Sequence, residues 1–312
     1  MNENQKLMQD LYKTTETKYD IFKEPEIAYL FVHQNKVIGS QLIPGLEIDT
    51  EELEDGINAN ITVKEGVIIH KPVHLCFGMF PETGVQKIIM RVNIKKNAKI
   101  SILAHCSFPN ASDVKHIMEA KINIGEGAEY SYFERHIHGI KGGVKVYPQA
   151  LVELEKGAKF KTEFELLKGR VGLIEIDYET ICKAGSVMDM NVRINGTKDD
   201  IIKIKETGNL VGEGARGVLT SRIAVRGNAR AEVYNKISAT AAYARGHVDC
   251  KEIIQDNGAA IAVPIVEVNH SKALVTHEAA IGSVDSKQLE TLMARGLTED
   301  EAVELIIQGL LS

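Results

Sequence analysis

Four cysteines, Cys76, Cys106, Cys182 and Cys250, are the softest ligands and strongest latent nucleophiles in this sequence of 312 residues. They lie far apart and none forms a CxxC pair, which argues against a closed zinc site or a redox dithiol. The opening residues, MNENQKLMQDLYKTTETKYD, are polar and carry acids, so they do not read as a secretion signal. The expected compartment is therefore the reducing cytoplasm, where disulfides are not expected. Each thiol must find its chemistry from other residue types. The His136-x-His138 pair would place two imidazoles on one face of a strand, a geometry that can grip a metal. No third ligand is evident near it in the sequence. No GxxxxGK[ST] occurs, so no P-loop nucleotide site is expected, and no Ser/His/Asp constellation stands out.

Composition narrows the class further. The net charge of −6 and the pI near 6.0 give no nucleic-acid footprint. Arg216, Arg222, Arg226, Arg230 and Arg245 are interspersed with acids and read as a solvated face. No run of about 18 apolar residues exists that could span a bilayer as a helix.

The elements that must position these residues show through the turn signals. Glu65-Gly66-Val67, Asn97-Ala98, Gly127-Ala128, Gly157-Ala158, Gly185-Ser186, Gly214-Ala215 and Gly258-Ala259 recur at about 28 to 31 residues. The last interval is longer, about 44, and contains Gly227-Asn228-Ala229. A period in this range marks a stacked-repeat architecture. Between turns the chain alternates with period 2, as in AKISILAHC, where Ile100, Ile102, Ala104 and Cys106 share a face. That is strand patterning, not the 3.6 period of helical repeats. The spacing predicts a right-handed parallel β-helix, one coil per repeat, with Gly or Asn supplying positive φ at corners. An antiparallel β-sandwich would show turns at about 8 to 12 residues instead.

The ends differ from the middle. Residues 1–58 combine a helix expected from Gln5 to Thr15 with irregular acidic sequence such as DTEELEDG, and are expected to cap the solenoid. Residues 59–284 form the β-helix core, and 285–312 form a helical hairpin. In that hairpin Gly296 stops a first helix, and Thr298-Glu-Asp-Glu301 is a capping box opening a second.

The stretch from Gly246 to Leu311 resembles the C-terminal half of the SufB/SufD family of iron–sulfur cluster assembly scaffolds. It carries in order a Cys on a strand (Cys250), Pro-x-x-Glu-Val, His-Glu-Ala, and Gln-Leu-x-x-Leu-x-x-Arg-Gly-Leu-x-x-x-x-Ala. Upstream, Ala104-His-Cys106-Ser-Phe-Pro109, His116 and GEGAEYSY resemble the family's Gly-Cys-Thr-Ala-Pro segment and its downstream His. Two features of the longer bacterial SufB proteins are missing. One is the N-terminal cysteine cluster; the other is a Gln-Asn-Trp, where this chain has Glu134-Arg135-His136-Ile137-His138.

The resemblance implies a non-enzymatic scaffold that assembles a transient iron–sulfur cluster and passes it to recipient apoproteins. It implies a partner ABC-type ATPase, SufC, docked on the helical hairpin, and a homodimer in place of a SufB–SufD heterodimer. SufB-type proteins match at Cys250 and Glu278 and SufD-type proteins at His277, so these three are the candidate cluster ligands. Cys106 aligns with the cysteine that accepts sulfur from a persulfide donor. Cys250 and Glu278 stand 28 residues apart, close to one repeat, which would set them side by side on adjacent coils about 4.8 Å apart. His277, next to Glu278, would point the other way; a helix end or a second subunit could bring it in, and the resemblance favours the second subunit. Cys106 alternates inward with Ile100 and Ile102, toward the core or an internal tunnel, and becomes reactive only where a metal or a cation such as His105 or His116 lowers its pKa. Cys76 and Cys182 match nothing in the family and read as core residues. Two alternatives remain: a structural subunit of the same complex that holds no cluster, for which Cys250 would be superfluous, and a β-helix carbohydrate-active enzyme. The absence of Trp and the 5% aromatic content argue against the second.

Overall fold

The computed structural model describes residues 2–17 and 20–312. It is a parallel β-solenoid of about eight turns with three α-helices at its margins. Each turn contributes one strand to each of two sheets. The ten-stranded sheet runs, from the C-terminal edge, through Leu274–Gly282, Arg245–Ile254, Arg216–Val225, Val187–Gly196, Lys159–Lys168, Glu129–His138, Lys99–Phe108, Val73–Gly78, Tyr29–His33 and Lys36–Gln41. The nine-stranded sheet runs through Ala259–Val268, Arg230–Ala239, Ile201–Leu210, Leu173–Cys182, Val144–Leu154, Asp113–Ile124, Thr83–Ile94, Gly56–Val63 and Leu46–Glu52.

The alternation read from the sequence is the alternation of burial. Glu129–His138 is half-buried and buried by turns along its whole length. The inward rows of both sheets meet in one continuous core, from Leu30 and Ile57 to Val248 and Cys250. Stability therefore accumulates coil by coil. Corner residues take the left-handed backbone expected of them: φ is 65° at Gly127 and 56° at Asn97.

The long last interval has a simple cause. Two rows of corners exist, one before the strands of each sheet. The first row continues past Gly214 to Tyr243, at φ 59°, and the second includes Gly227 and Asp256, at φ 67° and 57°. Tyr243 gives no glycine signal, so the sequence pattern skipped from one row to the other.

The two ends of the solenoid are built differently. At the N-terminal end, Tyr29–His33 pairs antiparallel with Lys36–Gln41, and Leu46–Glu52 with Gly56–Val63. The acidic run expected to be irregular is thus part of an edge strand, where exposed carboxylates discourage further pairing. Helix α1 (Glu3–Thr14) starts at a capping box of Asn2 and Gln5, and buries Leu11 and Tyr12 over Phe31 and Cys76 on the outer face of the sheet.

At the C-terminal end the last strands of both sheets, Ala259–Val268 and Leu274–Gly282, pair on one side only. Helix α2 (Ser286–Met293) packs on α3 (Glu299–Leu311), which lies not over that edge but against the flank of the larger sheet. There Ile307 and Leu311 pack on Ala224, and Arg226 pairs with Glu304 at 2.7 Å.

Candidate functional site

The inward rows are mostly apolar, but one file of polar side chains runs between two of the thiols. From the coil of Cys106 to the coil of Cys250, every turn places at least one polar side chain inside: Glu134, then Thr162 with Tyr178, Glu206, Ser221 with Asn235, and finally Cys250 with Glu252. Five strand spacings separate the two thiols, about 24 Å at 4.8 Å per coil. Several polar atoms in this file have no hydrogen-bond partner, among them Tyr132 Oη, both oxygens of Glu206, Asn235 Oδ1 and Glu252 Oε2. Buried polar atoms are nearly always paired, so a row of such groups fits an interior path that water or another small polar species can enter. A small cavity bounded by Tyr132, Glu134, Thr162 and Tyr178 lies on the same line. Burial pushes the carboxyl of Glu206 up to about 8 and that of Glu252 up to about 7, the latter with Ser221 Oγ donating at 3.4 Å.

At one end of the file Cys106 is fully buried. Its register partner one coil on is His136, and its thiol donates to Glu134 Oε1 at 3.9 Å. His136 Nε2 meets the same oxygen at 2.7 Å, and its Nδ1 lies 3.2 Å from His138 Nε2. His116 reaches this point from the opposite sheet. One donor atom from each of Cys106, His116 and His136 lies within 4.8 Å of the others. The third ligand that the sequence around His136 and His138 lacked is therefore present, brought by the fold.

Neither imidazole expected to activate Cys106 stands there as a cation. Burial holds His105 down to about 4, and that residue stacks on His74 outside the inner row. His116 is held well below its usual value by burial and by His136 and His138. Burial and the Glu134 carboxylate push the Cys106 thiol well above its ordinary range. Of the activators named from sequence, only a metal remains.

At the other end Cys250 is also fully buried, accepts from Asn235 Nδ2 at 3.8 Å, and is pushed by burial up to about 11. The register in this coil is 29 residues, not 28: Cys250 pairs with Ala279, and Glu278 with Asp249. One residue of offset transfers a side chain to the opposite face. Glu278 is accordingly outside, 59% exposed and 3.4 Å from Lys251 Nζ. His277 pairs with Val248 and so belongs to the inward row with Cys250, on the last coil, where that row is uncovered. Within one chain, then, it is Glu278 and not His277 that faces away from the thiol.

Cys182 sits in the inner core and Cys76 under α1, where burial pushes the Cys182 thiol up to about 12 and the Cys76 thiol higher still. Sequence reading missed Glu206, Ser221, Asn235 and Glu252. Their signal was available: Ile202, Ile204 and Glu206 alternate on one face, and a carboxylate in such a row is out of place unless it serves the interior.

Comparison with known proteins is consistent with this geometry. A family model described as the SUF system FeS cluster assembly SufBD core domain matches residues 82–310. The chain is 40% identical over 299 residues to an iron–sulfur cluster assembly SufBD family protein of Methanocaldococcus jannaschii, covering 94% of this chain and 95% of that protein. It is 37% identical over 304 residues to one from Pyrococcus horikoshii, covering 97% and 92%. A member from Staphylococcus aureus is 21% identical over 289 residues, which span 91% of this chain but 55% of that longer protein.

Proposed function

The chain belongs to the SufBD family of iron–sulfur cluster assembly proteins, and from that premise we propose that it is the scaffold on which a cluster is built and from which it is handed to apoproteins. The observation that carries this reading is the file of buried, partly unpaired polar groups joining two buried thiols inside a mostly apolar solenoid. A purely structural subunit has no use for it.

In this reading Cys106 accepts sulfur from a donor persulfide: its thiolate attacks the terminal sulfur and the donor thiolate leaves. Release as hydrosulfide takes two electrons from an external dithiol, which is oxidised to its disulfide. The polar file then leads sulfide to Cys250. Glu206, whose carboxyl stays protonated up to about pH 8, presents no fixed negative charge against it.

Cluster assembly takes place at the uncovered end, with Cys250 as the soft ligand and His277 and Glu278 as harder ones. Because Glu278 faces away from Cys250 in one chain, the set is completed across a homodimer. The free edges of the strands Ala259–Val268 and Leu274–Gly282 supply the interface for it. They expose Ile261, Ile265, Val268, Leu274 and Ile281, an apolar edge of the kind that pairs with another chain.

An ABC-type ATPase of the SufC kind docks on the hairpin. α3 spends one face on the solenoid and leaves Leu305, which is exposed, beside half-buried Ile306, Leu292 and Leu289 and exposed Met293. ATP hydrolysis belongs to that partner.

The decisive experiment is anaerobic reconstitution with iron and sulfide, followed by visible absorption and Mössbauer spectra. Wild type takes up cluster, and Cys250→Ser loses most of it. Cys106→Ser keeps it with free sulfide but loses it with a protein persulfide as donor. Equal loading of Cys250→Ser and wild type would transfer the case to a structural subunit.

A further inference from the structure

We propose that the chain binds one divalent transition-metal ion inside the solenoid, on Cys106, His116 and His136, at a centre separate from the Cys250 end. The donors come from three strands in two sheets, and their ligand atoms already lie within 4.8 Å of one another. In a tetrahedral site with metal–nitrogen bonds near 2.0 Å and metal–sulfur near 2.3 Å, neighbouring ligand atoms stand about 3.5 Å apart. Closure onto an ion therefore takes about an ångström of side-chain movement.

His116 points to a ligand independently. It is fully buried, and neither ring nitrogen has a hydrogen bond of normal geometry, although the Gln86 main chain favours its charged form slightly. A buried imidazole with both nitrogens unpaired costs about 1–3 kcal/mol for each lost partner. One of its ring nitrogens lies within 4.8 Å of the Cys106 thiol and of a ligand nitrogen of His136.

The neighbouring histidines meet nitrogen to nitrogen beside it. The Arg170 carbonyl only accepts, so His138 Nδ1, 2.9 Å away, donates and leaves a lone pair on Nε2. If Glu134 accepts from His136 Nε2, a lone pair is left on His136 Nδ1 as well. Those two lone pairs would face each other across 3.2 Å, close to the edge of a tetrahedral coordination shell and relieved by a cation.

Phe108 and Phe164 close the site, with ring centroids 4.8 Å from His116 and His136 respectively. One thiolate and two imidazoles select a borderline ion such as ferrous iron or zinc over magnesium or calcium, which demand oxygen. Such an ion is also what turns Cys106 into a thiolate, by displacing its proton.

This inference goes beyond the scaffold reading, since the ion shares no donor with the Cys250 end. Metal-bound and sulfur-accepting Cys106 are two states of one thiolate.

The test uses the full chain carrying Cys250→Ser, made metal-free and titrated anaerobically with cobalt(II). It is run both folded and refolded from denaturant in the presence of the ion, so that slow entry cannot mask binding. The expected result is about one cobalt per chain, with a thiolate-to-cobalt charge-transfer band and tetrahedral visible bands. Zinc and ferrous iron should displace it, and their competition ranks the two. Adding Cys106→Ser removes the charge-transfer band, His116→Gln, of similar volume, weakens binding at least about tenfold, and Cys182→Ser changes nothing. Absence of the band in both preparations overturns the proposal, and so does a band that survives Cys106→Ser or full affinity in a His116→Gln chain with native circular dichroism. Because cluster loading at Cys250 is measured separately, failure here leaves the scaffold reading standing, and the reverse also holds.

Discussion

The two thiol centres sit in the same solenoid, on the inward face of the same sheet, yet they solve the problem of a buried sulfur in opposite ways. Cys106 is surrounded within its own chain by Glu134, His116, His136 and His138 and sealed by phenylalanines, beneath an end closed by antiparallel strands and α1. Cys250 lies one coil from an open edge, beside Ser221, Asn235 and Glu252, with His277 on the uncovered final strand and Glu278 turned outward. A repeat architecture makes this division of labour possible. Each coil contacts only its neighbours, so one region can be finished internally while another is left for a partner to finish.

The sharpest way to break the comparison is to open the sealed centre. Phe164 is 1% exposed and packs on the His136 ring, so Phe164→Ala should cost about 3–5 kcal/mol in a denaturant titration. It should also abolish cobalt binding while the chain still loads cluster at Cys250. Loss of both together would mean that the two centres are one cooperative unit.

Glu206, between them, tests the file itself. Its folded-state pKa is raised from 4.5 to about 8, so the native state keeps a proton that the unfolded chain gives up. Stability should therefore be highest below about pH 4.5 with respect to this group, and should fall as pH rises toward 8. Glu206→Gln, which needs no proton, should flatten that slope and gain on the order of 4 kcal/mol relative to wild type at pH 8. Parallel pH profiles for the two chains would remove Glu206 from the interior.

A smaller effect is expected at the open edge. Ile261→Lys with Ile265→Lys, both on the exposed side of the last strand of the nine-stranded sheet, should weaken self-association at least about tenfold, roughly 1.4 kcal/mol, without changing the melting temperature of the isolated subunit. Sedimentation equilibrium reads this directly, and unchanged dimer content would place the interface elsewhere.

The smallest effect on folding belongs to Glu278→Gln. Its exposed pair with Lys251 is worth about 0–1 kcal/mol, so the melt should barely move. Cluster yield should nevertheless fall if the carboxylate reaches Cys250 of a second copy, and a yield equal to wild type would remove Glu278 from the ligand set.

Much of the architecture was legible in the residues. Alternation such as Ile100, Ile102, Ala104, Cys106 and the recurring Gly-Ala corners are local patterns, and local patterns suffice for a solenoid whose parallel strands pair from one coil to the next. The hairpin was legible for the same reason, because Thr298 and Glu301 cap α3 within one turn. What stayed hidden depended on counting residues around a coil. Tyr243 takes a corner conformation with no glycine to announce it, and the coil after Cys250 closes in 29 residues instead of 28, which moves Glu278 to the outside and leaves His277 on the inward row. Sequence spacing resolves the period to a residue or two, whereas the pleat reverses facing at every residue. The meeting of Cys106, His116 and His136 lay further out of reach. His116 comes from the opposite sheet, and no periodicity along the chain says which residues two facing sheets will bring within 4.8 Å of each other. Local patterns along the chain are enough for the solenoid, its repeat and its stock of soft and titratable groups; the closing of one coil upon another decides which of those groups share an interior.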